Sequence, residues 1–398
     1  MKLIKDLVQQ DIKGKTIIVR EDLNVPIQDG KVSDLTRIRA ACETLLFLSE
    51  KGAKVIVLSH LGRPKGPEAK YSLKLIHPIL EKALEKPLLF AEDCVGEFAK
   101  KKVEAMQNGD ILLFENVRFH PEEENNESSF AKEWAQMGDV FIQDAFGVAH
   151  RSHASTVGIA HYLPSYAGFL LEREIQFLEK IVKHPERPLM AIIGGSKVST
   201  KIKVLKNLLH KVDILFIGGA MSFTFLKAQG FQVGLSLWED NQLDEAHAFL
   251  KAAQKSHTKV LFPVDQCVVP SFKEVAQKKW VDADQLSPAD MGVDIGPKTV
   301  SLIKQYAKEA KTIVWNGPLG VFEIDDFAEG TIQVASILAE SNALTIVGGG
   351  DSAAAIEKAK LTHCMSHIST GGGATLEFLE GKALPGIAIL DKVSVNNT

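Results

Sequence analysis

The sequence has 398 residues, of which 45% are hydrophobic and 24% are charged, and its formal net charge is −4. This balance is typical of a globular protein of two or three domains, and it lacks the basic excess of a nucleic-acid binder. Its four cysteines are far apart, which disfavours a disulfide framework or a zinc site. The charged N-terminal segment and the lack of a long apolar run lead us to expect a cytoplasmic protein without membrane contact.

Short apolar runs alternate with longer amphipathic segments through the first half of the chain. Strands are predicted at 15–22, 53–59, 88–93, 110–116 and 139–145, and helices at 35–52, 72–84, 95–106 and 128–138. Apolar runs of this length, rich in β-branched residues and separated by helices, predict βαβ units and a buried parallel sheet.

The second half repeats this alternation. Strands are predicted at 188–195, 213–219, 259–265, 311–318 and 343–351, and helices at 200–212, 222–230, 243–255, 298–311 and 352–360. Between the halves, segment 166–188 carries apolar residues on one helical face and ends in the break HPERP, which predicts a connecting helix and a hinge near 185–188.

We therefore predict an α/β protein with two doubly wound, Rossmann-like parallel-sheet domains, residues 1–167 and 188–384, joined by a connecting helix and hinge at 168–187. One continuous sheet is the alternative. The length of the chain and the repeated pattern favour two domains.

Four strands of the second half end in glycine turns, at 192–197, 216–221, 315–323 and 347–352. Ligands of open α/β sheets bind beyond the carboxyl ends of the strands. Glycine there lets backbone N–H groups approach a phosphate, and the following helix offers its positive N-terminus. Four such turns together predict a nucleotide site.

Charged residues beside these turns suggest how the site handles phosphate. Lys197 and Lys201 are spaced to share one side of a helix and could neutralise a transferring phosphoryl group. Asp351 follows three glycines, where it could bind Mg²⁺ or cap a helix. A further glycine run within 368–378 could face a second phosphate.

Two other functions fit part of the pattern. Residues 348–353 satisfy G-x-G-x-x-A, the dinucleotide fingerprint of dehydrogenases, but the acidic residue expected about 20 positions later is missing. A nucleotide-binding module without chemistry is the second alternative. The paired lysines, and the separate arginine-rich half described next, argue against it.

Arginines of the first half lie at or just after predicted strand ends, or at a helix start: Arg20, Arg37, Arg63, Arg118 and Arg151. Brought together by parallel strands, guanidinium groups bind a multiply charged anion in bidentate fashion. His60 lies in the same loop as Arg63. Asp22 and Asn24, just past a strand end, could accept and donate hydrogen bonds to a hydroxyl group. Three further histidines, His150, His153 and His161, lack carboxylate or cysteine partners at ligand spacing, which disfavours a metal site.

These segments resemble the phosphoglycerate kinase family across essentially the whole chain. The matching segments, in order, are VREDLNVP (19–26), HLGRP (60–64), ENVRF (115–119), DAFG (144–147) with His150 and Arg151, GGSKV (194–198) with Lys201, WNGP (315–318), GVFE (320–323), GGGD (348–351) and STGGGA (369–374). The resemblance implies interconversion of 3-phosphoglycerate and 1,3-bisphosphoglycerate with ATP and ADP, in a monomer whose last segment, 385–398, packs on the first domain.

The resemblance also implies roles for individual residues. Phosphoglycerate would be bound by Asp22, Leu23, Asn24, Arg37, His60, Leu61, Gly62, Arg63, Arg118 and Arg151. The nucleotide would be bound by Gly195, Lys201, Gly219, Asn316, Pro318, Gly320, Glu323, Gly349, Gly350, Asp351, Ser352, Gly371, Gly372 and Gly373. Arg37, Lys197 and Lys201 would stabilise the transition state, and Asp351 would bind magnesium.

The chain departs from the family pattern at two positions, Ser352 in place of threonine and Gln143 in place of asparagine. The expected reaction is direct in-line transfer, because a carboxylate acceptor needs no general base. We also expect the two domains to close about the connector, because the reacting atoms must approach to roughly 3–3.5 Å.

Overall fold

The computed structural model describes residues 1–28, 31–32 and 34–395. The chain divides into two compact units, one comprising Met1–Gln176 with Ala383–Thr398 and the other Phe177–Lys382. The division falls inside the helix Phe169–Val182, and the hinge near 185–188 stays a prediction. Residues 396–398 of the predicted returning segment lie outside the described residues.

The first unit is built on a six-stranded parallel sheet. In order across the sheet, its strands are Leu89–Ala91, Ile111–Phe114, Lys54–Leu58, Thr16–Arg20, Val140–Gln143 and Ser165–Ala167. Alternate residues of a strand face opposite sides, and Ile17, Val19, Val55 and Val57 join one core with the buried face of the helix Thr36–Glu50.

Helices cover this sheet. They are Ile4–Leu7, Thr36–Glu50, His77–Leu84, Gly96–Glu104, Pro121–Glu124, Ser128–Ala135, the first half of Phe169–Val182, and Pro385–Val395. The predicted helix 72–84 is instead a 3₁₀ turn, Leu73–Leu75, followed by the helix His77–Leu84, whose first turn contains Pro78. Proline fits a first helical turn because its missing N–H would have no intrahelical partner there. Gly386 N–H donates to Ala149 O at 2.9 Å, which ties the C-terminal helix to this unit.

The second unit contains another six-stranded parallel sheet. Across the sheet, its strands are Lys259–Leu261, Ile214–Ile217, Leu189–Ile193, Thr312–Asn316, Leu344–Gly348 and His367–Ser369. The strand order reverses between Leu189–Ile193 and Thr312–Asn316, and such a switch point is where doubly wound sheets bind ligands. Its helices are Ile202–Leu208, Met221–Ala228, Leu243–Ala253, Pro297–Glu309, Glu329–Ala339, Gly350–Lys358 and Gly373–Leu379. These two helix-flanked parallel sheets confirm the predicted fold class.

A three-stranded antiparallel sheet in the second unit was not predicted. Its strands, in order, are Lys279–Asp282, Asp265–Val269 and Met291–Ile295. The predicted strand 259–265 was wrong at its end, because the parallel strand stops at Leu261 and a new strand begins at Asp265. Pro263 separates them, and proline cannot donate a ladder hydrogen bond. Among the described helices, none is long and apolar enough to cross a membrane.

Two buried carboxyl groups lie beneath the start of the helix Phe169–Val182. Asp144 Oδ1 accepts a hydrogen bond from Leu171 N–H at 2.9 Å. A side chain on Gly168 would overlap the Asp144 carboxyl group, which explains the glycine. Glu21 is fully buried beside Asp144, and burial raises the pKa of Glu21 well above its usual range and that of Asp144 to about 6. The charge of Asp144 raises the pKa of Glu21 further, because two neighbouring buried carboxyl groups resist being ionised together.

We predict that Asp144→Asn flattens the dependence of stability on pH. A raised pKa means that the folded chain binds this proton more tightly than the unfolded chain. The stabilisation that the proton on Asp144 gives the folded chain is therefore present below about pH 4, and it is lost as the pH rises through about 6. Between pH 4.5 and 7, the free energy of unfolding of the variant should gain about 2 kcal/mol relative to the unsubstituted protein. Urea unfolding measures it, with the exposed Asp11→Asn as control. A constant difference across this pH range would contradict the assignment.

Candidate active site

The anion-binding candidates of the first unit lie at the carboxyl edge of its sheet. Strands Thr16–Arg20, Lys54–Leu58 and Ile111–Phe114 end side by side there, because each pairs in parallel with its neighbour. Their following loops carry Asp22 to Asn24, His60 to Arg63, and Arg118. The sequence separates these loops by dozens of residues, and the sheet brings them together.

Arg37 is held by the loop that follows the first strand. Its Nη1 donates to Asn24 O at 2.7 Å and lies 3.2 Å from Asp22 Oδ2. The Arg37 side chain keeps 26% of its surface exposed. One part of the guanidinium group is therefore anchored, while the group as a whole still reaches solvent.

The loop 60–63 is fixed by polar contacts to its backbone. Asn24 Oδ1 accepts from Gly62 N–H at 2.7 Å, and Arg118 Nη1 donates to Gly62 O at 2.9 Å. Gly62 has φ +65° and its Cα faces the ring of Tyr71, so a larger residue there would be strained and would clash. Arg63, in the same loop, is exposed to solvent.

Several predicted contacts of the first unit need correction. The side chains of Leu23 and Leu61 belong to the hydrophobic core, so only the backbone of these two residues could meet a ligand. Arg20 is 0% exposed and cannot contact an anion at the surface as its position suggested. Arg151 is exposed, and it lies near enough to Arg118 for the two positive charges to repel each other.

His60 is buried among positive charges. Burial lowers the pKa of His60 well below its usual range, and the charges of Arg20, Arg118 and Arg37 lower it further. The imidazole is therefore neutral at physiological pH. A neutral imidazole carries one N–H donor and one acceptor nitrogen.

Some of the nucleotide-binding candidates of the second unit line an open cleft of about 230 Å³. The cleft is lined by Gly195, Ser196, Gly219, Ala220, Phe223, Gln266, Gly292, Val293, Asp294, Pro318, Leu319, Gly320, Val321, Glu323 and Asp351. Six of the predicted nucleotide residues are among them. Phe223, Val293, Leu319 and Val321 give the cleft an apolar component that suits a flat base.

The glycines of the strand-end turns fall into two groups. A side chain on Gly194 would overlap the carbonyl oxygens of Gly317 and Pro318, and one on Gly219 would overlap the backbone of Gly195. These glycines let neighbouring turns pack backbone against backbone. Gly350 and Gly372 have no atom within 4 Å of a built Cβ, so the space beside them is free for a ligand.

Lys201 joins two of these turns. Its Nζ donates to Gly194 O at 2.8 Å, to Asn316 Oδ1 at 2.7 Å and to Asn316 O at 3.2 Å. Burial lowers the pKa of Lys201 to about 8, while Asp351 opposes this shift. All three N–H groups are engaged, so a phosphate must displace one acceptor to bind directly.

The predicted helical pairing of Lys197 with Lys201 is wrong. The helix begins at Ile202, with Lys201 as its N-cap residue, and residues 197–201 form turns instead. Lys197 is exposed and is not among the residues that line the cleft. Because these residues form turns, the i, i+4 spacing does not place the two lysines on one helical face.

Other predicted nucleotide residues hold the turns in place. Asn316 Nδ2 donates to Gly348 O at 2.9 Å, and Ser352 Oγ accepts from Gly317 N–H at 2.6 Å. Gly349 is the N-cap of the helix Gly350–Lys358, so Asp351 is an exposed residue of its first turn and not the cap. Residues 371–373 follow the neighbouring strand His367–Ser369, where Gly371 N–H donates to Ser369 Oγ at 3.1 Å.

Sequence reasoning missed the cleft wall supplied by the antiparallel sheet. Gln266 lines the cleft, is 3% exposed, and its Nε2 has no hydrogen-bond partner within the described residues. Asp294 lies beside it, and burial raises the pKa of Asp294 to about 7. No motif marks either residue, because their position depends on a strand that the sequence did not reveal.

Comparison with known proteins decides the family. The phosphoglycerate kinase family model matches residues 4–382. The chain belongs to the phosphoglycerate kinase family. It is therefore a phosphotransferase of the glycolytic reaction that defines this family.

Individual relatives are similar to this chain over nearly its full length. The chain is 53% identical to phosphoglycerate kinase of Pseudothermotoga lettingae, covering 98% of each chain. It is 49% identical to that of Borrelia hermsii, covering 98% of this chain and all of the relative. Among solved structures, phosphoglycerate kinase from Coxiella burnetii superposes with a TM-score of 0.86 at 42% identity, covering 97% of this chain and 98% of the other.

Two glycine substitutions separate packing from ligand access. Gly194→Ala should lower stability by roughly 1–3 kcal/mol, because its Cβ meets the backbone of two residues that cannot move aside easily. Gly350→Ala should leave stability unchanged or slightly raised, because Gly350 lies in open space at a helix start. Gly350→Ala should still weaken nucleotide binding, because its methyl group would occupy space that the ligand needs. Thermal unfolding and calorimetric titration with Mg-ADP distinguish the two, and equal loss of stability in both variants would contradict this division.

Proposed function

We propose that the first unit binds the phosphoglycerate and the second unit binds ATP or ADP, with a phosphoryl group transferred directly between them. The observation that carries this proposal is that the two units present different kinds of hydrogen-bond donor at their strand ends. Arginines and a neutral histidine gather at the strand ends of one unit, and open glycine turns with a buried lysine gather at those of the other. Each arrangement suits a different anion.

The cleft of the second unit fits a magnesium nucleotide. The N–H groups beside Gly350 and Gly372 border free space, as a phosphate requires. Asp351 is an exposed carboxylate at the same helix start and would bind the metal, which supplies positive charge to the phosphates. Lys201 adds a second cation, and Gln266 offers the base an unpaired amide group.

Transfer needs positioning and charge neutralisation more than proton chemistry. The carboxylate of 3-phosphoglycerate is ionised at neutral pH and attacks without a general base. Arg37, anchored through Asn24 O and Asp22, would direct its guanidinium group to the transferring phosphoryl oxygens. Lys197 is exposed in the turn next to Ser196, which lines the cleft, and would add positive charge near the nucleotide. We further propose a cytoplasmic monomer that closes about the connecting helix when both substrates are bound.

The two alternatives make different predictions for simple assays. A dehydrogenase would bind NADH, whereas the proposed enzyme binds ADP and ATP and consumes ATP when 3-phosphoglycerate is present. A binding module would bind nucleotide without turnover. A coupled assay with 3-phosphoglycerate and a panel of nucleotides tests all three, and no ATP consumption by folded protein would contradict the proposal.

Arg37→Ala should lower kcat by at least about 100-fold, because a charge interaction made mainly in the transition state is typically worth a few kcal/mol. The affinity for 3-phosphoglycerate should fall much less. Arg39 is exposed on the same helix and makes a matched control, so Arg39→Ala should retain full activity. A purified Arg37→Ala variant with kcat near that of the unsubstituted enzyme would remove Arg37 from the catalytic set.

Lys201→Ala should weaken Mg-ADP binding and slow transfer, while 3-phosphoglycerate affinity stays nearly unchanged. Because the pKa of Lys201 is lowered to about 8, the Mg-ADP affinity of the unsubstituted enzyme should also fall as the pH rises through 8. The variant should lack this pH dependence. Lys203→Ala, exposed on the adjoining helix, is the control. Calorimetric titration of each ligand checks this prediction. If the variant loses only 3-phosphoglycerate binding, the assignment of Lys201 to the nucleotide is wrong.

A further inference from the structure

The buried Arg20 has a position that substrate binding does not explain. It closes the strand Thr16–Arg20 and is 0% exposed. Its Nε donates to Ser155 Oγ at 2.7 Å, its Nη1 donates to Glu21 O, and its Nη2 lies 3.2 Å from Nδ1 of His60. Ser155 Oγ in turn donates to Glu123 Oε1 at 2.6 Å. The guanidinium group is therefore enclosed by protein atoms and cannot reach a ligand in solvent.

The contact with His60 has only one chemically possible direction. A guanidinium group has five N–H donors and no acceptor. Nδ1 of His60 must therefore accept the hydrogen bond, and the single proton of the neutral ring must lie on Nε2. Within the described part of the chain, Nε2 makes no hydrogen bond of its own. Its N–H is free to donate to a bound anion.

We propose that Arg20 is a positioning residue that fixes His60 as the Nε2–H tautomer, so that a neutral histidine presents a hydrogen-bond donor to the phosphoglycerate. The role of Arg20 is indirect, because it acts on the substrate only through His60. Its anchors, Ser155 and Glu21, hold the guanidinium group in place.

A competing arrangement shows what Arg20 prevents. Asp22 Oδ1 lies 4.0 Å from Nδ1 of His60 and would attract a proton placed there. The other charged or titratable groups that act on the ring are Arg20, Arg37, Arg118 and His153. Without Arg20, no donor faces Nδ1, and the single proton of the neutral ring can move to Nδ1 and point towards Asp22. In that Nδ1–H tautomer Nε2 carries no proton, so the donor to the substrate is lost.

The tautomer can be measured in the free enzyme without any substitution in this network. Two-dimensional ¹⁵N–¹H spectra that correlate the ring nitrogens with the ring carbon-bound protons distinguish the two forms, and His60→Gln assigns the signals. We expect Nε2 to be protonated and Nδ1 to be the acceptor throughout pH 6 to 8. An Nδ1–H tautomer, or an imidazolium at pH 7, would overturn the proposal whatever the enzyme binds.

The functional consequence rests on the proposed binding of phosphoglycerate to the first unit. In Arg20→Met, the dissociation constant for 3-phosphoglycerate at neutral pH should rise about 5–10-fold, consistent with the loss of one hydrogen bond to a charged group. The ring spectra of the variant should show a proton on Nδ1. A variant whose His60 keeps the Nε2–H tautomer would overturn the proposal, whereas no binding by the unsubstituted enzyme would instead contradict the proposed function.

Ser155→Ala separates this role from general support of the buried network. It removes the acceptor of Arg20 Nε and the contact with Glu123, but it leaves Arg20 Nη2 opposite His60. We expect the Nε2–H tautomer to persist and the affinity for 3-phosphoglycerate to stay close to that of the unsubstituted enzyme. If Ser155→Ala reproduces the loss of affinity and the change of tautomer expected for Arg20→Met, the effect reflects disruption of the network and the proposal is wrong.

Discussion

At the strand ends of each unit, one cation that is largely withdrawn from water holds neighbouring turns together. Taking a cation out of water is costly unless nearby oxygen atoms replace its hydration. Arg20 in the first unit and Lys201 in the second meet this requirement with carbonyl, hydroxyl and amide oxygens of neighbouring turns. Each cation thereby ties together segments that are distant in sequence, and each raises the positive potential where an anion would bind. In the proposed sites, the side chains that hold the turns together therefore also shape the place where an anion would bind.

Close backbone packing is the second constraint on the nucleotide cleft. Gly194 and Gly219 are glycines because adjacent turns touch there, whereas Gly350 and Gly372 border open space. The number of glycines in the strand-end turns is therefore larger than the number that could contact a phosphate. The packed glycines fix the turns, and the open ones leave space beside the backbone.

Much of the fold followed from local patterns in the sequence. Buried runs such as 16–20 and 189–193 are continuous and apolar, so their strands could be located directly. Motifs also placed Asp22, His60 and Lys201 in the segments that follow strands, where the structure has them, and their roles stay predictions. Their partners could not be predicted, since the contact between Lys201 and Asn316 spans 115 residues and depends on which strands are neighbours.

The errors have a common physical cause. Arg20 and Lys197 were assigned by their position relative to a strand or helix, but burial and turn geometry decided their surroundings. The antiparallel sheet escaped prediction because its strands are short and partly polar, such as Lys279–Asp282. Gln266, which that sheet places in the cleft, carried no recognisable signal of its own.

Hydrogen exchange with each ligand added separately tests the central claim, that each unit binds its own substrate. With 3-phosphoglycerate alone, exchange should slow in segments 20–24, 59–63 and 116–119, and not in the second unit. With Mg-ADP alone, it should slow in segments 194–201, 316–323 and 348–353, and not in the first. Slowed exchange in the first set on adding Mg-ADP, with the second set unaffected, would contradict the account.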